Sequence, residues 1–252
     1  MSFFTSEDWF GRSGPFAYNI EYIVFIALSV VFAFVLPILL RKTQKKTIKI
    51  VLISLWLLAV ILDVTKYTYH FVHDISSGNV AIANLDFPLW TCSIFLYIMP
   101  IVLFCKNEKI SRACSAFVCT ISLFAGIVNF AIPCEESLFS FFGMHKTLYH
   151  YILMLTPAIM LGTGYIKLKL KDVFGAMAVF VIFGIPVYIF NVIFNQDYMF
   201  TYNGSFLPID MSTIITIKPL YTLLSIILHI LITLLCIGID IGVRRIFRKK
   251  SK

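Results

Sequence analysis

The sequence predicts an all-α, polytopic membrane protein whose seven transmembrane helices form one bundle. Three observations support this fold class: a strongly apolar composition, seven apolar stretches of bilayer-spanning length, and positive charges concentrated in alternate connections. Hydrophobic residues make up 60% of the 252 positions and charged residues only 13%, whereas a soluble domain typically has about 25% charged residues. This composition excludes an ordinary soluble globular domain.

Each apolar stretch is long enough to cross a bilayer. Because a helix rises about 1.5 Å per residue, roughly 20 apolar residues span the ~30 Å hydrocarbon core. The expected spans are Asn19–Leu40, Ile48–His73, Phe87–Cys105, Ala113–Ile132, Thr147–Ile166, Val173–Asn195 and Thr216–Val243. Together they form a transmembrane domain at 19–243. Residues 1–18 carry charges and lack the apolar core of a secretion signal, so they are expected to be a short outer interfacial segment.

The positive charges predict the orientation of the spans. Of the 21 lysines and arginines, 17 lie in the first, third and fifth connections or in the basic tail 244–252, counting Lys49 at the edge of the second span. Under the positive-inside rule these segments are cytoplasmic, which places the N-terminus outside and the C-terminus inside. The chain is therefore expected to be a multi-pass protein of the cell membrane. Since topology accounts for the net charge of +8, no nucleic-acid partner is predicted.

Neither a metal site nor a cofactor site is predicted. The six cysteines include no CxxC pair and no metal-ligand spacing with a histidine. Their positions do not indicate a disulfide framework either.

The second span contains an unusual group of ionisable residues. Asp63, Lys66, Tyr67, His70 and His73 follow one another at spacings of 3, 1, 3 and 3, so they share one broad helical face in the outer half of the span. Such side chains are costly in lipid and are expected to face the bundle interior. They form either a functional site or a structural Asp63–Lys66 ion pair with interfacial histidines.

Other spans carry polar groups at a similar expected depth. Cys92 and His150 each lie just inside the predicted outer start of a span, while Asn129 and Asn191 lie near outer ends. With Asp63, Lys66 and His70 they predict an outer-leaflet polar pocket. A thiol and an imidazole at the depth of lipid esters suggest a nucleophile and its base. The alternative interpretation of Cys92 is a small apolar packing residue.

Four motifs carry a resemblance to a known family. They are FPLWTCS at Phe87–Ser93, GIVNFAIP at Gly126–Pro133, HKTLYHY at His145–Tyr151 and DYMFT at Asp197–Thr201. The chain resembles the YwaF-type family of bacterial integral membrane proteins over nearly its whole length. A vertebrate relative of that family is regarded as a phospholipid acyltransferase that uses cysteine and histidine.

The resemblance implies a catalytic role for Cys92 and His150, with one departure from the family pattern. Trp90 stands where the family commonly has a histidine two positions before the cysteine. If that histidine takes part in the chemistry, this chain uses another base, such as His70 or His145, or has lost activity.

The leading hypothesis is a membrane-embedded lipid acyltransferase or transacylase that acts on a membrane phospholipid or lysolipid from the outer leaflet. With water as the acceptor, the same chemistry would make it a lipase. A competing hypothesis is a small-solute or proton-coupled transporter that uses Asp63, Lys66 and His70. A third is a non-catalytic membrane protein that binds lipid or protein without turnover.

Overall fold

A computed structural model describes residues 20–76, 87–131, 138–200, 202 and 217–249. Within these ranges every regular element is a helix, which confirms the all-α prediction for this part of the chain. The α-helices are α1 (Ile20–Leu40), α2 (Lys45–Ser76), α3 (Ile94–Phe104), α4 (Glu108–Phe117), α5 (Leu123–Ala131), α6 (Phe141–Gly162), α7 (Asp172–Phe194) and α8 (Lys218–Lys249). A π-helical segment, Val118–Ser122, separates α4 from α5, and Tyr198–Phe200 is a short 3-10 helix.

Five helical stretches in the described residues are long and apolar enough to cross a membrane. They are Glu21–Leu40, Lys45–Tyr69, Glu108–Phe130, Asp172–Phe194 and Lys218–Ile246. The other two predicted spans correspond to α3, which has 11 residues, and to α6, which has 22 residues but a more polar sequence. The membrane character is therefore confirmed, while the count of seven spans and their orientation stay predictions.

The predicted start of the third span is wrong. Phe87–Ser93 is a series of turns, and α3 begins only at Ile94. Pro88 has no N–H to donate and disfavours helical geometry at Phe87. The Leu89 N–H instead donates to the Phe87 carbonyl at 2.8 Å. A hydropathy pattern does not reveal this difference, because Phe87, Leu89 and Trp90 extend the apolar stretch of the helix into the turns.

The fourth and fifth predicted spans begin too late, because polar caps start the helices earlier. Asn107 accepts hydrogen bonds from the N–H groups of Lys109 and Ile110, which starts α4 at Glu108. Ser140 accepts one from the Gly143 N–H at 3.1 Å, which starts α6 at Phe141 rather than Thr147. At the other end of the chain, α8 extends to Lys249 and so includes 244–249 of the predicted basic tail, whose cytoplasmic position stays a prediction.

Contacts between helices divide the chain into two compact units. In the first unit, which contains α1, α2 up to Tyr69, α5 and α6, both α1 and α5 pack on α6. A Cβ at Gly126 would lie 3.1 Å from the His150 carbonyl oxygen, so glycine allows α5 to approach α6 closely. The Tyr22 hydroxyl also donates to the Phe130 carbonyl at 2.7 Å, which joins α1 to α5.

The second unit contains α3, α4, α7 and α8. α4 lies against α7, where a Cβ at Gly175 would be 3.1 Å from Ala113 Cα. α3 packs on α4, and the Ser111 hydroxyl donates to the Val102 carbonyl at 3.2 Å. α8 packs on α7, and the rings of Phe180 and His229 stack with their centroids 4.2 Å apart.

Candidate functional site

Asp63 of α2 and His145 of α6 form a buried pair in the first unit. His145 Nε2 lies 3.3 Å from Asp63 Oδ1, and both side chains are almost fully buried. The Tyr149 ring stacks on the His145 ring with a centroid distance of 5.5 Å and an interplanar angle of 12°. Within the described ranges, Asp63 Oδ2 has no hydrogen-bond partner. The pair therefore holds a carboxylate oxygen that can still accept a hydrogen bond.

His150 is held in a defined tautomer. Its Nδ1 lies 2.7 Å from the Lys146 carbonyl oxygen. Because a carbonyl can only accept, Nδ1 carries the hydrogen, and Nε2 of the neutral ring keeps its lone pair. Nε2 is buried and has no hydrogen-bond partner among the residues that the structure describes. This is the form in which an imidazole can take up a proton.

The position of His150 along its helix differs from the sequence prediction. His150 lies nine residues after Phe141, the first residue of α6, which corresponds to roughly 14 Å along the axis. The prediction placed it only three residues inside a span that began at Thr147. The cap at Ser140 is the cause, because it adds almost two helical turns before Thr147.

Cys92 lies in the turn that leads into α3. The Ser93 N–H donates to the Trp90 carbonyl at 2.9 Å, and the Phe95 N–H donates to the Cys92 carbonyl at 3.2 Å. The side chain is partly buried. Cys92 is therefore at the N-terminal end of α3 rather than inside it. The positive end of a helix dipole favours negative charge in the first turn.

Tyr198 anchors the segment that carries Cys92. Its hydroxyl accepts a hydrogen bond from the Phe87 N–H at 3.1 Å. Its ring meets the Trp90 ring edge-on, with the centroids 4.9 Å apart. The FPLWTCS and DYMFT motifs are thus in direct contact within the second unit.

Asn191 in turn fixes the backbone of Tyr198. Its Nδ2 donates to the Tyr198 carbonyl at 2.8 Å, and its Oδ1 accepts from the Tyr198 N–H at 3.0 Å. These two hydrogen bonds close the turn after α7. In this turn the φ angle is positive at Asn195 (52°) and at Met199 (60°). Asn191 therefore acts on the Cys92 segment through Tyr198.

The remaining predicted residues are distributed over both units. Asn129 is half-buried, and its Nδ2 donates to the Ala125 carbonyl one turn earlier at 3.0 Å. The Lys66 ammonium lies 4.7 Å from the Tyr67 ring centroid. The backbone of His70 belongs to α2, but its side chain is outside the described part. Because Cys92 belongs to the second unit and His150 to the first, their pairing stays a prediction.

Two residues contact the predicted site in ways that the sequence does not indicate. His145 is expected only as a substitute base, yet it is the partner of Asp63. Tyr198 belongs to the DYMFT motif without an expected role, yet it contacts both Phe87 and Trp90. The four-residue spacing of His145 and Tyr149 signals a shared face of α6, but no local pattern identifies the partner on another helix.

A comparison with protein-family models gives a match that covers most of the sequence. The model of the TMEM164 family matches residues 15–239. The chain belongs to the TMEM164 family. Neither a search of curated proteins nor a search of solved structures gave a significant match. Together with the apolar helices, family membership makes this a multi-pass membrane protein in contact with the lipid bilayer.

Proposed function

We propose that this TMEM164-family protein is a lipid acyltransferase or transacylase of the cell membrane. The observation that carries the proposal is the buried His150 ring, whose Nε2 has the lone pair of a general base and no hydrogen-bond partner in the described residues. The substrate class is a membrane phospholipid or lysolipid. If water replaces the acceptor alcohol, the same residues make the protein a lipase.

In the proposed first step, His150 Nε2 takes the proton of the Cys92 thiol, and the sulfur attacks an ester carbonyl carbon. The carbon–oxygen bond to the glycerol breaks. The departing alkoxide takes the proton from the imidazolium and leaves as a lysolipid alcohol. The acyl chain remains on Cys92 as a thioester.

In the proposed second step, an acceptor hydroxyl gives its proton to His150 Nε2 and its oxygen attacks the thioester carbon. The carbon–sulfur bond breaks, and the Cys92 thiolate regains the proton from the imidazolium. The acyl group ends on the acceptor lipid, so no oxidant or cofactor is required.

Contacts around Cys92 support its role as the nucleophile, and other polar residues are assigned supporting roles. Cys92 lies in the turn directly before α3, and its carbonyl accepts a hydrogen bond from the Phe95 N–H of that helix. Asn191 holds the Cys92 segment through Tyr198. We assign the stabilisation of the oxyanion to Asn129, Lys66 or a backbone N–H, and we assign His70 and the Asp63–His145 pair to the surrounding polar environment.

Trp90 fits a supporting role in this scheme. Its ring packs against Tyr198, which anchors the turn that carries Cys92. The proposal therefore assigns the base to His150 and treats Trp90 as a packing residue.

The test is acyl transfer by the purified full-length protein in liposomes that contain acyl-labelled phospholipid and unlabelled lysolipid. Cys92→Ala is expected to abolish transfer, and Cys105→Ala is a matched control because Cys105 is also a partly buried cysteine. Undiminished transfer by Cys92→Ala would reject the nucleophile. Release of labelled fatty acid in liposomes without lysolipid would assign the lipase reaction instead, because water is then the acceptor.

A second candidate function is proton-coupled transport, which the buried Asp63–His145 pair favours. A carboxylate beside an imidazole can bind and release a proton inside a membrane protein. Solute flux in liposomes with a pH gradient would support this function if it is lost in Asp63→Asn and retained in Cys92→Ala. Lipid binding with neither transfer nor flux would instead indicate a non-catalytic binding protein.

A further inference from the structure

The connection between α6 and α7 contains an exposed row of lysines on a fixed backbone. Residues 167–171 have the sequence KLKLK, and we call them the KLKLK connection. Lys167, Lys169 and Lys171 are exposed, whereas Leu168 between them is only 1% exposed. The buried Leu168 side chain is thus flanked by the exposed side chains of Lys167 and Lys169.

Two residues of α8 hold this connection from one side. Asp240 Oδ2 accepts a hydrogen bond from the Leu168 N–H at 3.2 Å. Arg244 donates to the Leu168 carbonyl and also pairs with Asp240 at 2.7 Å. Both backbone polar groups of Leu168 are thus bound by one arginine–aspartate pair.

A second arginine–aspartate pair holds the connection from α4 and α7. Arg112 donates to both carboxylate oxygens of Asp172 at 2.7 and 2.6 Å, and to the Lys167 carbonyl at 3.1 Å. Asp172 Oδ2 also accepts from the Lys169 N–H at 2.7 Å. The backbone of Lys167, Leu168 and Lys169 is therefore fixed by four hydrogen bonds to side chains.

This arrangement leaves the lysine charges available to an external anion. The carboxylates beside the connection, Asp172 and Asp240, are each engaged by an arginine. Because the backbone is already ordered, binding an anion costs less conformational entropy than ordering a flexible loop would. These lysines contribute to the predicted topology, and the proposed acyl transfer does not involve them.

We propose that the KLKLK connection is a binding site for the phosphate of an anionic phospholipid headgroup. Two exposed apolar side chains beside the lysines favour a lipid over a soluble phosphate: Leu170 is 64% exposed and Phe174 is 78% exposed. α7 begins at Asp172 and is a candidate membrane span, so the connection lies at the end of that span. Lysines bind the headgroup while Leu170 and Phe174 contact its acyl chains.

The first experiment titrates the purified full-length protein with a fluorescent phosphatidylglycerol in neutral detergent micelles. Replacing Lys167, Lys169 and Lys171 by Gln is expected to weaken binding by roughly fivefold per lysine. The matched control replaces the exposed Lys42, Lys45 and Lys46 by Gln, which removes the same charge from the start of α2 and the connection before it. If both triple variants weaken phosphatidylglycerol binding equally, the proposed site is wrong.

The second experiment separates a fixed site from general charge attraction. Asp240→Asn makes the protein more positive by one charge, so simple attraction predicts tighter binding. In Asp240→Asn the amide oxygen can still accept from Leu168 and Arg244, but these hydrogen bonds lose their charge assistance, which instead predicts weaker binding, by about threefold or more. Tighter binding by Asp240→Asn would contradict the proposal.

Two further measurements complete the test. If Asp240→Asn does not fold, as judged by circular dichroism, the single variant Lys169→Gln still has to weaken binding relative to Lys45→Gln. Inorganic phosphate and phosphatidylcholine are added as competitors of the fluorescent lipid. Competition by millimolar inorganic phosphate as strong as that by unlabelled phosphatidylglycerol would overturn the assignment to a lipid headgroup.

Discussion

At the residue scale, the chemistry of a buried histidine depends on how its imidazole is held. His150 and His229 both have Nδ1 at 2.7 Å from the carbonyl oxygen four residues earlier. This local bond selects the same tautomer in both rings. Their surroundings differ: the His229 ring stacks on Phe180, while the Tyr149 ring meets the His150 ring edge-on. The tautomer alone therefore does not identify a base.

We expect His150→Gln to lower acyl transfer by about 10²-fold or more, because a general base typically contributes that much. His229→Gln removes an imidazole with the same backbone bond and is expected to leave the rate within about twofold. Initial rates in the labelled-lipid assay measure both variants. Equal losses in the two would indicate that His150 is only a packing residue.

Asp63 provides a second prediction at the residue scale. A double-mutant cycle of Asp63→Asn and His145→Gln is expected to show a coupling energy of about 0.5–3 kcal/mol, because the two groups lie 3.3 Å apart. The unfolding free energy is measured by denaturant titration of the protein in mixed micelles.

The control cycle pairs Asp63→Asn with Lys66→Gln, the partner that sequence spacing suggests. We expect a smaller coupling there. A larger value for Asp63 with Lys66 than with His145 would favour the pair within α2 over the pair between α2 and α6.

At the element scale, the turn before α3 is ordered by contacts from the end of α7. Phe87 donates its N–H to the Tyr198 hydroxyl, and Asn191 binds the Tyr198 backbone on both sides. The Cys92 segment is therefore ordered by residues at and after the end of α7 as well as by hydrogen bonds from Ser93 and Phe95.

Tyr198→Phe is expected to lower acyl transfer by roughly tenfold, because the Phe87 N–H loses its acceptor and the Cys92 turn loosens. The alkylation rate of Cys92, followed by peptide mass spectrometry, is expected to change in parallel. Tyr188→Phe is the matched control, since Tyr188 lies on α7 and its ring packs against Tyr202. An unchanged Cys92 alkylation rate in Tyr198→Phe would show that the hydroxyl does not position the turn.

The start of α6 gives another prediction at this scale. Ser140→Ala removes the acceptor of the Gly143 N–H and is expected to lower the unfolding free energy by about 0.5–2 kcal/mol. Ser54→Ala is the control, because Ser54 lies within α2 and its hydroxyl donates to the Ile50 carbonyl. The same unfolding titration measures both. A smaller loss for Ser140→Ala than for Ser54→Ala would argue against the cap.

At the scale of the whole molecule, the charge distribution predicts which connections face the cytoplasm. Cysteine introduced at Thr43, in the exposed connection between α1 and α2, is expected to resist a membrane-impermeant maleimide in intact cells. The same reagent is expected to label it after permeabilisation. Label is counted above that of the parent chain, which contains the six native cysteines. Labelling of Thr43→Cys in intact cells would reverse the predicted orientation.

The sequence predicts a feature accurately when that feature depends on the segment's own composition, and less accurately when it depends on contacts with other segments. The apolar helices α1, α2, α7 and α8 were located to within a few residues at their starts, because hydropathy acts residue by residue and needs no partner. The starts of α3 and α6 were missed, although Pro88 and Ser140 both signal them. At α3 an apolar stretch continues across the true start, whereas at α6 the polar residues His145 and Lys146 interrupt the apolar stretch and move the expected start past them.

The sequence by itself determined that this chain forms apolar helices in a membrane and that several ionisable residues lie within them, because burial in lipid is a property of each segment. Only the tertiary structure decided that Asp63 meets His145 and that Tyr198 holds the turn before α3. The physical reason is that a buried polar group is stabilised by a particular partner on another element. Which partner it meets depends on how the helices pack, and spacing along one helix does not contain that information.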